Sequence, residues 1–337
     1  ALNANTTANN NIGIGHYSLS ANTTGTQNAA VGTYSLQNCT TGGDNTAVGY
    51  IALNNANGVQ NTAVGSRALQ DMTTGDDNTA LGFHALHTNT TASDNTAIGS
   101  HALYLNTTGT ANTALGKQTL NSNTTASNST ALGYKALYAN TGAENTAVGS
   151  NSAVTNTTGI KNVSVGAWSL RYNTTGDNNT GVGYQALGAN TTSNDNTAFG
   201  YNSLQANTTG GSNTAVGANS LDANTTSNYN AAFGTNSLTA NTTGERNCAF
   251  GSASAENNVT GSYVTAVGQG ALYNSTVSNL TAIGYNAGYN NTTGSGNVFV
   301  GARSGTSTGA GGAITGANGV FVLGDDNIST LYCNTTS

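Results

Sequence analysis

The chain of 337 residues contains no proline, only one methionine and one tryptophan, three cysteines, and charged residues amounting to 6% of its length. Each shortage closes off a class of protein. Seven Lys and Arg that never cluster provide no basic patch to neutralise phosphates, so nucleic-acid binding is excluded as an expectation. No apolar run approaches the roughly 20 residues that span a bilayer as a helix, so no membrane insertion is expected either. Cys39, Cys248 and Cys333 are odd in number and widely spaced, which gives neither a disulfide framework nor a CxxC metal spacing. They read as small apolar fillers. The formal net charge of −6 is spread over isolated Asp and Glu residues.

What the chain does have is a repeat. The word Asn61-Thr62-Ala63-Val64-Gly65 returns along the sequence with its glycine at Gly15, Gly32, Gly49, Gly65, Gly82, Gly99, Gly116 and onward to Gly301. The interval is 17 residues, shortened to 16 between Gly49 and Gly65, Gly133 and Gly149, and Gly268 and Gly284. A period this short belongs to a solenoid, in which each repeat buries its apolar side by stacking on its neighbours. Low charge with high polarity is also a signature of disorder, but a disordered chain has no need to keep an apolar residue in register. Helix is excluded, because Gly, Asn and Thr saturate the pattern and no 3.6-residue period is present. The expected fold is therefore all-β, a β-solenoid or β-roll with 17-residue rungs.

Residues 179–195 illustrate one rung. Alternation places Thr180 and Val182 on one side and Asn179, Gly181 and Gly183 on the other. The aliphatic position, as in Val48, Val64, Leu81, Ile98, Leu115 and Leu132, is read as the interior. A leucine four residues past the glycine, as in Leu53, Leu69, Leu86 and Leu103, is read as joining it there. The small face carrying Ala47, Ala63, Ala80 and Ala97 is read as a contact between chains, because a single ribbon of this kind buries little apolar surface. The Asn-Thr-Thr segments are read as turns built from residues that tolerate left-handed backbone. The repeat thins out at Ala255, Gly288 and Gly305, where the leucine is missing. The expected organisation is a repetitive shaft over 1–301, a Gly/Ser/Thr-rich transition over 302–318 and a C-terminal β cap over 319–337.

The repeat word resembles that of the head domains of trimeric autotransporter adhesins, and the 17-residue form is similar to the shafts of phage and large-virus tail fibres. Residues 323–337 also resemble the stretch preceding the self-cleaving intramolecular chaperone of phage tail spikes. The resemblance implies a homotrimeric fibre, a chaperone removed beyond the cap, host-surface attachment as function, and an extracellular location on a virion. A bacterial surface adhesin or extracellular filament is the alternative.

Candidate chemistry is sparse. No catalytic constellation, cofactor or metal site is expected, and the chain is not read as an enzyme. His16, His84, His87 and His101 read as variable solvent-side positions. Asp44, Asp76, Asp77, Asp94, Asp177 and Asp195 recur before the repeat word but lack the spacing of calcium-binding repeats, and read as polar turn residues. The Asn-Thr-Thr array raises two further readings, ice binding by a threonine ladder and N-glycosylation, although glycans on every rung would clash. Aromatics one or two residues past the glycine, Tyr134, Trp168, Tyr184 and Tyr201 among them, are candidates for packing at the corner of the roll or for contact with a host-surface glycan. The expected partners are other copies of the chain and a glycan or protein receptor.

Overall fold

The computed structural model describes residues 2–306 and 313–325. Among these residues there is no helix and there are 19 short β-strands, from β1 (Ile12–Ile14) to β19 (Phe321–Leu323). The chain divides into two compact units, residues 1–178 and 179–337. The first contains β1 to β10 (Val163–Val165), and the second β11 (Thr180–Val182) to β19. Within each unit every strand pairs in parallel with the next one in the chain, always in the same register. Thr62, Ala63 and Val64 of β4 (Thr62–Val64) lie against Thr79, Ala80 and Leu81 of β5 (Thr79–Leu81). The fold is a parallel β-solenoid with one repeat per rung.

Three residues of strand leave some fourteen per rung whose backbone groups still need partners. They find them in the neighbouring rungs. The N–H groups of Leu69, Asp71 and Thr73 donate forward to the carbonyls of Ala85, His87 and Thr90, while those of Gly65, Arg67 and Asp77 donate back to Val48, Tyr50 and Val59. Hydrogen bonding between rungs therefore continues around the coil well beyond the strands.

In the interior the leucines past the glycine lie where the sequence places them, but the strand faces are reversed. Ala47, Ala63, Ala80 and Ala97 are fully buried, so they are not a contact face between chains. The aliphatic residues that follow them turn outward: Val48 is 38%, Leu81 46%, Leu115 42% and Leu132 42% exposed, and Val64 and Ile98 are half-buried. The alternation holds, with the opposite side facing the interior. The side carrying asparagine and alanine faces in, because the leucine four residues past the glycine fills the narrow coil and leaves room only for a methyl opposite. Leu53, Leu69, Leu86 and Leu103 are fully buried.

The asparagine beside that alanine is also fully buried, and its amide is a structural part of the coil. Asn78 Oδ1 accepts the backbone N–H of Asn95 at 3.1 Å, and its Nδ2 donates to the carbonyl of Ala92 at 2.9 Å. A second ladder comes from the asparagine of Asn-Thr-Thr, read from sequence as a surface turn. Asn106 Nδ2 reaches Asn89 Oδ1 and the carbonyl of Gly109, each at 2.9 Å, and Asn123 repeats the pattern onto Asn106 at 3.0 Å. Buried amides are stable only when so paired, and each unsatisfied one costs about 1–3 kcal/mol.

Backbone conformation sets the corners. The repeat glycines have φ of +113° to +143°, and a Cβ on Gly82 would lie 2.7 Å from the carbonyl carbon of Gly99. Three further positions per rung are left-handed without being glycine, as at Arg67 (φ 58°), Leu69 (φ 50°) and Asp77 (φ 57°). For a leucine this conformation costs about 1–2 kcal/mol, which burial of its side chain, at about 1.5–3 kcal/mol, offsets.

Irregular rungs are compensated locally. Thr23 and Thr24 both donate backbone N–H groups to the carbonyl of Thr40. In the shortened rung after Gly49 the corresponding acceptor for Thr40 and Thr41 is the side-chain oxygen of Asn57, at 2.8 and 3.2 Å. At β18 (Val298–Val300) the inward alanine becomes Phe299, fully buried, and the absent leucines at Gly288 and Gly305 are what make room for its ring. The expected decay of the repeat is thus an exchange of volume. β19 then adds to β18 in parallel, Val298 opposite Phe321, at a spacing of 23 residues, and Asn297 Oδ1 still takes the next rung's N–H, from Val320 at 2.8 Å. Residues 302–306 and 313–325 of the expected transition and cap fall within this pattern, whereas 307–312 and 326–337, with Cys333, lie outside the described residues.

Gly82→Ala should destabilise the first unit by roughly 3 kcal/mol through backbone strain and collision with the next rung, read as a lowered denaturation midpoint. Phe299→Ala should cost about 3–5 kcal/mol by opening a cavity. Gly288→Leu should also destabilise on its own, yet restore most of the loss when combined with Phe299→Ala, because leucine already adopts this backbone at Leu272 (φ 52°).

Candidate interaction surfaces

The alternation that buries alanine and asparagine leaves two residue columns on the outside of each strand, and these, with the positions just past the glycine, are the surfaces available for chemistry. Along the first unit the aliphatic column runs through Ile14, Val31, Val48, Val64, Leu81, Ile98, Leu115, Leu132, Val148 and Val165, one residue from every strand. None of these is fully buried. In the second unit the same column contains Phe199, 56% exposed, and Phe233 stacked on Phe250 at 4.5 Å. Threonine, two residues earlier, borders it.

The aromatic candidates lie just past the glycine, where the chain leaves the strand. Tyr134 is exposed, and the ammonium of Lys135 sits 5.4 Å from its ring and equally far from that of Tyr138. Trp168 is half-buried, with the Arg171 guanidinium 5.3 Å from its ring and 4.9 Å from Tyr172. Tyr184 and Tyr201, in successive rungs of the second unit, stack at 5.7 Å. The fold therefore brings Tyr184 and Tyr201 together, while Tyr134 and Trp168 each belong to a separate cation-bearing cluster.

Residues treated separately in the sequence converge at the histidines. His84 stacks on His87 at 4.6 Å and on His101 at 5.3 Å, and Tyr104 lies 5.2 Å from His101. His84 and His101 share the place two residues past a repeat glycine, whereas His87 comes from a different position of the same rung as His84. Burial, followed by the neighbouring His87, His101 and Arg67 charges, lowers the affinity of His84 for a proton. Burial does the same at His87 and outweighs the opposing pull of Asp71, whose carboxylate is 3.7 Å away. Among the described residues no group of three or more His, Cys, Asp or Glu is placed to hold a metal ion.

Several polar candidates are committed to the coil. Asp76 Oδ1 accepts the Val59 N–H at 2.7 Å and Asp177 Oδ1 that of Ile160 at 2.8 Å, so these carboxylates cap the preceding rung. Threonine hydroxyls are engaged in the same way: Thr23, Thr107 and Thr208 each donate to the next rung's threonine carbonyl at 3.0 Å. That leaves their hydrogens turned along the stack instead of toward an ice face. The asparagines of the Asn-Thr-Thr sequons Asn106 and Asn173 are fully buried, which removes them as glycan acceptors in the folded protein. Cys39 occupies the same column, buried, and burial raises its thiol pKa to about 11, which makes it unreactive.

No protein-family model matches this chain, and no curated protein or solved structure is significantly similar to it.

A histidine whose folded pKa is lowered binds fewer protons than in the unfolded chain, so stability rises with pH across that range. Acidification from the ordinary histidine pKa near 6.5 downward should therefore lower the melting temperature. The His84→Asn/His87→Asn variant should show a smaller drop between pH 7 and pH 5 in parallel melts.

Proposed function

We propose that this chain is a structural fibre protein that works by associating with copies of itself, as the homotrimeric shaft of a viral tail fibre that attaches to a host surface. The observation that supports this reading is the uncovered aliphatic column. Monomeric soluble proteins rarely leave a contiguous apolar patch larger than a few hundred Å² open to water. Here every strand of each unit contributes a branched or aromatic residue to one, while the threonine beside it keeps the margin polar.

The inner surface gives a complementary reason. The coil's interior consists largely of alanine, a single leucine per rung and two asparagine ladders, so apolar burial within one chain is modest and a second layer of apolar contact would add substantially to it. Parallel strand stacking resists extension along the chain, and the low charge of the surface suits an extracellular structural role over one that recruits charged partners. The likeness of the repeat word to trimeric autotransporter heads supports a second reading, a bacterial surface adhesin, which makes the same demand for self-association. Ice binding is less well supported, since in the Asn-Thr-Thr segments the hydroxyls of the first threonine, as at Thr23 and Thr107, are already used between rungs.

Light scattering should give three times the 33.5 kDa mass of the chain. Leu81→Glu/Leu115→Glu/Leu132→Glu, altering only outward side chains, should shift the mass to that of a single chain while retaining the β-sheet circular dichroism. A stable monomer of the unaltered chain, or a triple variant that remains trimeric, would sink the proposal.

A further inference from the structure

A position in the second unit breaks the local rule of the repeat. The residue just before the inward position that opens each strand, an asparagine in most rungs but an apolar residue such as Val264 or Leu280 in others, is left-handed in each rung, and nearby rungs use Asp195, Ser212 and Asn279 there, with φ of 61°, 57° and 62°. Small polar residues tolerate that backbone by bonding to their own chain. Tyr229 and Tyr263 occupy it at φ of 61° and 58°, where a bulky ring is disfavoured. They gain nothing from the core in return, being 57% and 55% exposed.

Between them stands Arg246. Its guanidinium carbon lies 5.3 Å from the Tyr229 ring and 5.8 Å from the Tyr263 ring, and its Nη1 donates to the Tyr263 hydroxyl at 3.2 Å. Glu245 Oε2 is 3.6 Å from the same nitrogen. Glu245 is held in turn: Asn228 Nδ2 donates to its Oε1 at 3.2 Å, and its backbone N–H donates to Ser262 Oγ at 3.0 Å. The group thus has two exposed aromatic rings fixed by a shared cation, and a carboxylate, a guanidinium and an amide set beside them.

We infer that Tyr229, Arg246 and Tyr263, with Glu245 and Asn228, form a binding surface for a neutral glycan chain. A pyranose presents an apolar C–H face and an edge of hydroxyls. An exposed tyrosine ring covers the first, and paired donors and acceptors satisfy the second. Two rungs separate the rings by about 10 Å, which suits a ligand of several sugar units. The charges of Arg246 and Glu245 cancel, so the surface favours a neutral saccharide over an anionic one. This inference deepens the host-attachment part of the proposed function and does not depend on the number of chains in the fibre.

The test is titration of the full chain with hexasaccharides of glucose, mannose and galactose, and with a hyaluronan hexasaccharide as the anionic counterpart, followed by saturation-transfer NMR. At least one neutral probe should bind with Kd no weaker than about 1 mM. The Tyr229→Asn/Tyr263→Asn variant, which installs a residue the column already uses, should weaken that binding at least tenfold, while Tyr172→Ala, which removes an exposed ring elsewhere, should not. Failure of every neutral probe, binding that survives the double variant, or binding of hyaluronan alone would overturn the inference. So would a double variant that loses self-association in light scattering, since the tyrosines would then belong to the contact between copies. A glycan failure with trimeric mass retained leaves the fibre reading intact, so the two can fail separately.

Discussion

The structure depends on one hydrogen-bonded column, the buried asparagines whose side-chain oxygens take the backbone N–H of the next rung. Asn61 does this for Asn78 at 3.0 Å, and Asn78 does it for Asn95 at 3.1 Å. Because the amide also donates to a carbonyl three residues before that next rung begins, it ties the end of each coil to the start of the following one. A slip of one residue would orphan both groups in the buried interior, at about 1–3 kcal/mol per group. Register is therefore fixed by polar contacts inside the coil, and the stacking of apolar side chains follows from it.

With asparagine required on the inner side, alternation decides the rest of the strand. The residue two later must also point in, and only a small one fits beside the leucine, hence the alanine column. Whatever lies between and after points out. The apolar outer column is thus a by-product of the inner polar one in geometry, but its consistent aliphatic character is a separate choice of sequence, and it is this choice that supports self-association.

Departures from the repeat show how local the constraints are. Removing a residue after Gly49 is tolerated because the Asn57 side chain supplies the oxygen of the missing backbone group. Placing a phenylalanine at 299 is tolerated because two leucine positions around it are glycine. In each case the compensation lies within one or two rungs, as expected where a repeat touches only its neighbours. At Tyr229 and Tyr263 the partner is again one rung away: Arg246 lies between the two rings and donates to the Tyr263 hydroxyl at 3.2 Å.

The sequence by itself determined the architecture: a 17-residue glycine period with an apolar residue in register leaves stacking as the only way to bury surface, and the absence of a 3.6-residue pattern excludes helix. It also determined that Val64 and Ala63 face opposite ways, since strand alternation is a matter of chain geometry. Which of them faces inward was left to the tertiary structure, because hydrophobicity favours valine inside while the demand of backbone amides for a buried asparagine partner, visible only once rungs are stacked, puts alanine there. The same holds for the candidate surfaces. Tyr184 and Tyr201 are recognisable as exposed aromatics from their place after the glycine, but the stacking of His101 on His84, and the grouping of Tyr229, Arg246 and Tyr263, exist only between rungs, where residues 17 apart in the chain become neighbours.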